Sequence, residues 1–72
     1  MRKLSQFKVH EIACIKSYLD FELEVKLLEF GLNPNSKVEI INITPFYGPV
    51  VLQTENGKIA LRREEADQIL AQ

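Results

Sequence analysis

The sequence has no tryptophan, one cysteine, one histidine, three glycines and three prolines among its 72 residues. Its single cysteine, Cys14, excludes an internal disulfide, although small secreted domains usually depend on several. The low glycine and proline content, together with 46% apolar and 26% charged residues, excludes the composition of a disordered chain. The sequence therefore predicts a folded domain in an intracellular, reducing location.

Long apolar runs and clusters of basic residues are also missing. No stretch approaches the roughly 20 apolar residues of a membrane-spanning helix, and no apolar segment follows the basic pair Arg2-Lys3 as a signal peptide requires. The formal net charge is -1, and the basic residues are scattered from Arg2 to Arg63. Because proteins that neutralise phosphates need a basic patch, we expect no nucleic-acid partner. Because no long apolar run is present, we expect no direct membrane insertion.

Catalytic and metal-binding motifs are equally scarce. His10 lies four positions before Cys14, which in a strand places the two about 13 Å apart on one face, too far for a Cys-His pair. For the same reason His10, Glu11 and Cys14 cannot converge on one metal ion. The sequence has no glycine-rich phosphate loop and no Cys-x-x-Cys. We therefore expect no enzyme and no cofactor, and interpret Cys14 as a core residue and His10 as an exposed one.

Hydrophobic periodicity predicts short strands and one helix. Residues 11–19 are rich in apolar and β-branched side chains, which indicates a largely buried strand. Residues 20–30 have helical periodicity, with Asp20 as the N-cap and Gly31 as the C-terminal stop. We interpret the glutamates of this helix as its solvent face rather than as a cation site. The apolar residues assigned to its single buried face are Phe21, Leu23, Leu27, Leu28 and Phe30.

The second half of the chain predicts antiparallel strands. Because closure removes exposed strand edges, the expected fold is mainly β, a small barrel of about five strands with one short α-helix after the first strand. A single domain over residues 1–72 is expected. The remaining predicted elements are a turn at 33–36, a strand at 37–44 with a bulge at Ile40-Ile41, strands at 50–54 and 58–61 joined by an Asn56-Gly57 hairpin turn, a helical turn at 62–68 and a last strand at 69–71.

The segment from Pro45 to Pro49 is the most promising interaction site in the sequence. Its prolines interrupt the sheet, and between them lie Phe46 and Tyr47, which would be good interface anchors if they were exposed. The alternative is that one of the two aromatics folds back to close the end of the barrel. Arg62-Arg63 is either a docking patch or a solvated turn paired with the glutamates that follow it.

Three segments, in this order and spacing, resemble the FeoA family. Residues 26–40 read Lys-Leu-Leu-Glu-Phe-Gly-Leu-Asn-Pro-Asn-Ser-Lys-Val-Glu-Ile, residues 45–50 contain Pro-x-x-Gly-Pro-Val, and residues 59–69 contain Ile-Ala-Leu-Arg and Ala-x-x-Ile. They resemble the family's helix end and Leu-Gly-Leu-x-Pro-Gly turn, its central loop and its closing segment. The sequence departs from that pattern at Phe30 (usually Leu), Asn35 (commonly Gly), Lys26 (frequently Arg) and His10 (often Gly).

The resemblance implies an SH3-like barrel that serves as a cytoplasmic accessory protein of ferrous iron uptake. Its implied partner is the cytoplasmic part of a FeoB-type membrane transporter, which it would modulate by docking. On this chain we expect the docking contacts at Phe46, Tyr47, Lys26, Arg62 and Arg63.

Two other functions are compatible with the sequence. The first is a stand-alone transition-metal-sensing or regulatory domain, since a similar module forms the C-terminal domain of some metal-dependent repressors. His10, Glu11 or Cys14 would then hold an ion or promote self-association. The second is a peptide-binding SH3-type module, which the absence of tryptophan and the presence of only two tyrosines disfavour.

Overall fold

A computed structural model describes residues 1–72, which form six strands and two α-helices. A 3-10 turn at Leu4–Gln6 follows the first strand. None of the helices is long and apolar enough to cross a membrane. The elements in chain order are β1 (Arg2–Lys3), β2 (Ile12–Tyr18), α1 (Phe21–Glu29), β3 (Lys37–Ile43), β4 (Val50–Thr54), β5 (Gly57–Leu61), α2 (Arg63–Ala66) and β6 (Ile69–Ala71).

The six strands form one antiparallel sheet in the order β1-β6-β2-β3-β4-β5. This confirms the mainly β prediction, with one strand more than the expected five. The additional strand, β1, is only two residues long and pairs with β6 at the other end of the chain. β1 and β5 are not paired with each other, so the barrel is not closed by hydrogen bonds.

The register contains the bulge that the sequence predicts. The β3–β4 pairing shifts between Ile40 and Asn42, so the extra residue is Ile41, a member of the predicted Ile40-Ile41 pair. The β4–β5 hairpin has a two-residue loop, because Thr54 pairs with Gly57. β5 therefore begins one residue earlier than predicted, at a glycine whose φ of 122° other residues avoid.

β2 corrects two expectations. Only alternate residues of this strand are fully buried, Ala13 and Ile15, whereas Ile12 is 57% exposed. Cys14 is half-buried because successive side chains of a strand point to opposite faces. The prediction of a largely buried strand was therefore wrong, and so was the prediction of Cys14 as a core residue.

The cap of α1 lies where the sequence predicts it, but fewer residues of the helix are buried than predicted. Asp20 Oδ1 accepts a hydrogen bond from the backbone N–H of Glu22 at 3.3 Å, and Gly31 has the left-handed φ of 82° expected of a C-terminal stop. Of the five apolar residues assigned to one buried face, only Leu23 and Leu27 are buried. The other three are exposed because a nine-residue helix covers the sheet along one narrow row. They are Phe21, Leu28 and Phe30.

The core is formed by inward residues of β2 to β6 together with residues of α1, α2 and the segments 4–7 and 30–32. No charged or polar residue is buried there, so the core itself contains no desolvated charge. Tyr18, Ile43 and Ile59 pack against its margin. Its members are Leu4, Phe7, Ala13, Ile15, Leu23, Leu27, Leu32, Val38, Ile40, Val50, Leu52, Leu61, Ala66, Ile69 and Ala71.

Candidate interaction surface

The loop between β3 and β4 closes on itself as a tight turn. The backbone N–H of Gly48 donates to the carbonyl of Pro45 at 3.3 Å, and that of Thr44 donates to the carbonyl of Pro49 at 3.1 Å. Phe46 and Tyr47 therefore occupy the two central positions of a four-residue turn. The sequence predicts this loop from the two prolines, and the structure confirms it.

Both aromatic residues of the turn have a left-handed backbone. The φ angles of Phe46 and Tyr47 are 61° and 60°, which is the geometry of a type I′ turn, usually made by Asn and Gly. Each non-glycine residue in this region costs about 1–2 kcal/mol. Strain of this kind persists only where neighbouring contacts hold the backbone, and it concentrates at functional sites.

Gly48 is required by the same turn. A β-carbon at this position would lie 2.7 Å from Thr44 Cγ2 and 2.8 Å from Thr44 Cβ, and both are closer than real contacts allow. The chain can therefore turn back toward β4 only with a residue that has no side chain.

Contacts from α2 and the following turn hold Tyr47 in place. Its hydroxyl donates a hydrogen bond to Asp67 Oδ2 at 2.5 Å, and the Arg63 guanidinium lies 5.2 Å from the centre of its ring. Arg63 Nη2 also donates to the Thr44 carbonyl at 3.1 Å. The hydroxyl of Ser5 donates to the other oxygen of Asp67. These four contacts, the Tyr47 clamp, connect the loop to both ends of the chain.

The clamp shifts the pKa values of Asp67 and Tyr47 in opposite directions. The hydrogen bonds from Ser5 and then Tyr47 lower the pKa of Asp67 below its ordinary 3.8. The same bond to Asp67 is the main reason that the pKa of Tyr47 is raised above 10.0. At neutral pH the phenol is therefore the donor and the carboxylate the acceptor, which is the pair of states that the clamp needs.

Phe46 faces solvent completely, and Tyr47 remains 57% exposed although the clamp holds it. The Phe46 side chain is 100% exposed, although no hydrophobic side chain gains from contact with water. The alternative, that one of the two aromatics folds back to close the end of the barrel, is wrong, because neither ring packs against the core. The strained backbone and the clamp together hold an apolar ring away from the protein.

The three basic residues assigned to the site differ in their contacts within the protein. Arg63 belongs to the Tyr47 clamp, and its Nε is buried without a hydrogen-bond partner, which nothing in the structure explains. Lys26 Nζ is paired with Glu65 Oε2 at 2.7 Å, and this hydrogen bond is the main reason that the pKa of Glu65 is lowered. Arg62 has an exposed side chain. Whether any of them contacts a partner stays a prediction.

The residues missed by sequence reasoning are the acidic partners of the site, Asp67 and Glu65. Asp67 lies 62 residues from Ser5 and 20 from Tyr47 in the chain, so no local pattern connects them. Glu65 also accepts from the backbone N–H of Arg62 at 2.9 Å. The spacing of an N-cap residue and a glutamate three positions later was the one available signal, and it concerns the start of α2 only.

His10, Glu11 and Cys14 are directed to different neighbours. His10 Nδ1 lies 3.7 Å from Glu39 Oε2. The carboxylate of Glu11 accepts hydrogen bonds from the backbone N–H of Lys8 at 2.7 Å and from Arg2 Nη2 at 3.3 Å. Both bonds lower the pKa of Glu11. No group of three or more His, Cys, Asp or Glu side chains is arranged to hold a metal ion.

The FeoA domain family model matches residues 2–72 of this chain. Iron(II) transport protein A from Clostridium thermocellum is 35% identical, with a TM-score of 0.86 over 97% of this chain and 44% of its own. The crystal structure of an iron uptake regulatory protein (FeoA) has a TM-score of 0.85 and 18% identity over 99% of this chain and 93% of its own. A search of curated proteins found no match.

A similar fold also occurs in ScaR and in a manganese-dependent transcriptional repressor. ScaR, solved with bound Zn²⁺, has a TM-score of 0.87 and 19% identity, and the match covers 100% of this chain but 36% of ScaR. These comparisons confirm the SH3-like fold and the resemblance on which the sequence analysis relied.

Proposed function

This chain belongs to the FeoA family, and on that basis we propose that it is a cytoplasmic, non-catalytic accessory protein of ferrous iron uptake. It docks to the cytoplasmic part of a FeoB-type membrane transporter and modulates it. The observation that carries the proposal is the fully exposed ring of Phe46 on a turn held by the Tyr47 clamp. Rigid aromatic anchors of this kind provide much of the energy of protein interfaces.

The proposed contact surface consists of Phe46 at its centre with basic groups around it. Tyr47 and Arg63 position the loop through the contacts described above, while the exposed Arg62 is free to meet a carboxylate of the transporter. Lys26 contributes after exchange of its Glu65 partner or through the aliphatic part of its side chain. A single domain over residues 1–72 is part of the proposal.

A pull-down with the purified cytoplasmic part of the transporter from the same source tests docking. Wild-type protein should be retained, and Phe46→Ala should not, since truncation of a central anchor typically costs more than about 2 kcal/mol of binding free energy. Ile12→Ala is the matched control, because it removes an exposed apolar side chain from β2. Equal retention of all three proteins would rule out the loop as the anchor, and no retention of wild type would rule out direct docking.

A second candidate function is transition-metal sensing. It is favoured by the likeness to ScaR with bound Zn²⁺ and to a manganese-dependent transcriptional repressor, the latter with a TM-score of 0.84 and 14% identity over 94% of this chain. His10 with the nearby Glu39 is the pair of ligands that this function would use. Calorimetric titration with ferrous iron and Zn²⁺ separates the two candidates: stoichiometric binding that His10→Ala abolishes would establish the sensor.

A further inference from the structure

The outward side of α1 is apolar along its whole length. Phe21, Val25 and Leu28 are 75%, 43% and 40% exposed, and their spacing of four and three residues places them in one row. Leu23 and Leu27 point to the opposite side and are buried in the core. A helix with apolar residues on two opposite sides normally buries both, so the row formed by Phe21, Val25 and Leu28, the outer row, lacks a partner.

Glutamates line both sides of the outer row. At about 100° of rotation per residue, Glu24 falls on one side of the row, and Glu22 and Glu29 fall on the other. None of these three carboxylates pairs with a basic side chain. Lys26, the one basic residue of the helix, is engaged by Glu65. The outer row is therefore an apolar strip between uncompensated negative charges.

The groove between α1 and α2 extends this acidic surface. It has a volume of about 670 Å³ and contains the carboxylates of Asp20, Glu22, Glu64 and Glu65 against the single ammonium of Lys26. A positively charged side chain that reached beyond the outer row would enter a groove of opposite charge. The acidic surface and the apolar row thus adjoin each other at the N-terminal part of α1.

We propose that the outer row binds a basic amphipathic helix of a partner protein. The apolar side of that helix covers Phe21, Val25 and Leu28, and its Lys or Arg residues meet the glutamates on both sides, as in other helices recognised by anchors at i, i+4 and i+7. The proposal rests on the proposed function for the identity of the partner, which would be the transporter, but not for the chemistry of the surface.

Charge distinguishes this occupant from the others that an apolar row can have. A second copy of the chain would bring two rows of glutamates against each other, and like charges at an interface cost several kcal/mol. The anionic surface of a membrane or a nucleic acid is repelled for the same reason. A basic helix is the one occupant whose charge offsets that of the surface.

Binding of a synthetic cationic helix tests this proposal without the transporter. The probe is a fluorescent peptide of about 15 residues, long enough to form a helix, with leucine and lysine at helical spacing. Anisotropy is measured in about 0.15 M salt, where weak long-range attraction is screened. Wild-type protein should bind, and the double variant Phe21→Gln with Leu28→Gln should bind at least about tenfold more weakly.

A charge variant and two controls complete the experiment. Glu22→Gln, Glu24→Gln and Glu29→Gln together should also weaken binding and make it less dependent on salt. The controls Ile12→Gln and Glu55→Gln alter exposed residues outside α1 and should bind like wild type. All substituted residues are exposed except Glu24, which is half-buried. Circular dichroism of each variant checks that it is folded.

Three results would overturn the proposal. Equal affinity of wild type and the double variant would show that the peptide binds elsewhere. Dimerisation of wild type in sedimentation experiments, lost in the double variant, would assign the row to a second copy. Binding to vesicles of phosphatidylcholine and phosphatidylserine through the same residues would assign it to a membrane. The transporter takes no part in these measurements, so a failed pull-down and a failed peptide titration remain distinguishable.

Discussion

At the scale of single residues, the ionisation of the two tyrosines can be measured separately, because their hydroxyls have different hydrogen-bond partners. The Tyr18 hydroxyl donates to the carbonyl of Leu32 at 2.6 Å, and burial raises the pKa of Tyr18 to about 12. The Tyr47 hydroxyl donates to Asp67, which raises its pKa above 10.0. In both cases the neutral phenol is the hydrogen-bond donor in the folded protein, so ionisation removes the bond.

A spectrophotometric titration should therefore find neither tyrosine ionising at the ordinary pKa of 10.0. Tyr47→Phe should leave one tyrosine, with a pKa of about 12, and Asp67→Asn should lower the pKa of Tyr47. Because both folded pKa values are raised, the stabilisation is complete below pH 10 and is lost as the pH rises through them. A tyrosine that ionises near pH 10 in the Tyr47→Phe variant would contradict the burial of the Tyr18 hydroxyl.

At the scale of elements, α1 depends on its cap. Asp20 accepts from the backbone N–H of Glu22 and places a negative charge at the N-terminal end of the helix. We expect Asp20→Ala to lower the free energy of unfolding by about 1 kcal/mol and Asp20→Ser to retain most of it. Urea denaturation of the three proteins measures this difference. Equal loss in both variants would show that the cap contributes nothing specific.

The parts of the fold that the sequence predicts are those with local causes. Asp20 and Gly31 mark the ends of α1 through the chemistry of capping, and the Ile40-Ile41 pair marks a bulge because it breaks an alternating pattern. The two-residue strand β1 has no pattern, since it forms only by pairing with β6. The faces of β2 and α1 were predicted wrongly, because hydrophobic residues on an outward face look the same in sequence as those in a core.

In the candidate site, too, the sequence predicts the features with local causes and not those that depend on distant residues. Two prolines predict the loop, and the aromatic pair between them predicts an interaction site. The sequence could not show which ring is clamped and which is free, because Tyr47 is held by Asp67 and Arg63 from distant parts of the chain. Nor does it show the outer row of α1, which depends on which side of the helix the sheet covers.

At the scale of the whole molecule, Asp67 joins three separated parts of the chain. It accepts from Ser5 near the N-terminus and from Tyr47 in the β3–β4 loop. Its pKa lies below 3.8 in the folded protein, so its contribution to stability is present above pH 3.8 and is lost as the pH falls through the folded value. The lowered pKa of Glu65 acts in the same direction below 4.5.

Acid should therefore release the loop before it unfolds the core, which has no buried charge. Nuclear magnetic resonance signals of the Tyr47 ring should shift as the pH falls below about 4, while those of the core residues Ile15 and Leu52 stay at their neutral-pH positions. In the Asp67→Asn variant the Tyr47 signals should no longer follow the pH in this range. Simultaneous change of loop and core signals in wild type would contradict a locally held loop.

The most direct test of the central claim is uptake of ferrous iron by cells of the source organism that lack this protein. Supplying wild type or Ile12→Ala should restore the initial rate of uptake, whereas Phe46→Ala at the same cellular level should not. That result would tie the exposed ring of the clamped turn to the function proposed for it. Full restoration by Phe46→Ala would contradict the account and assign the function to another surface.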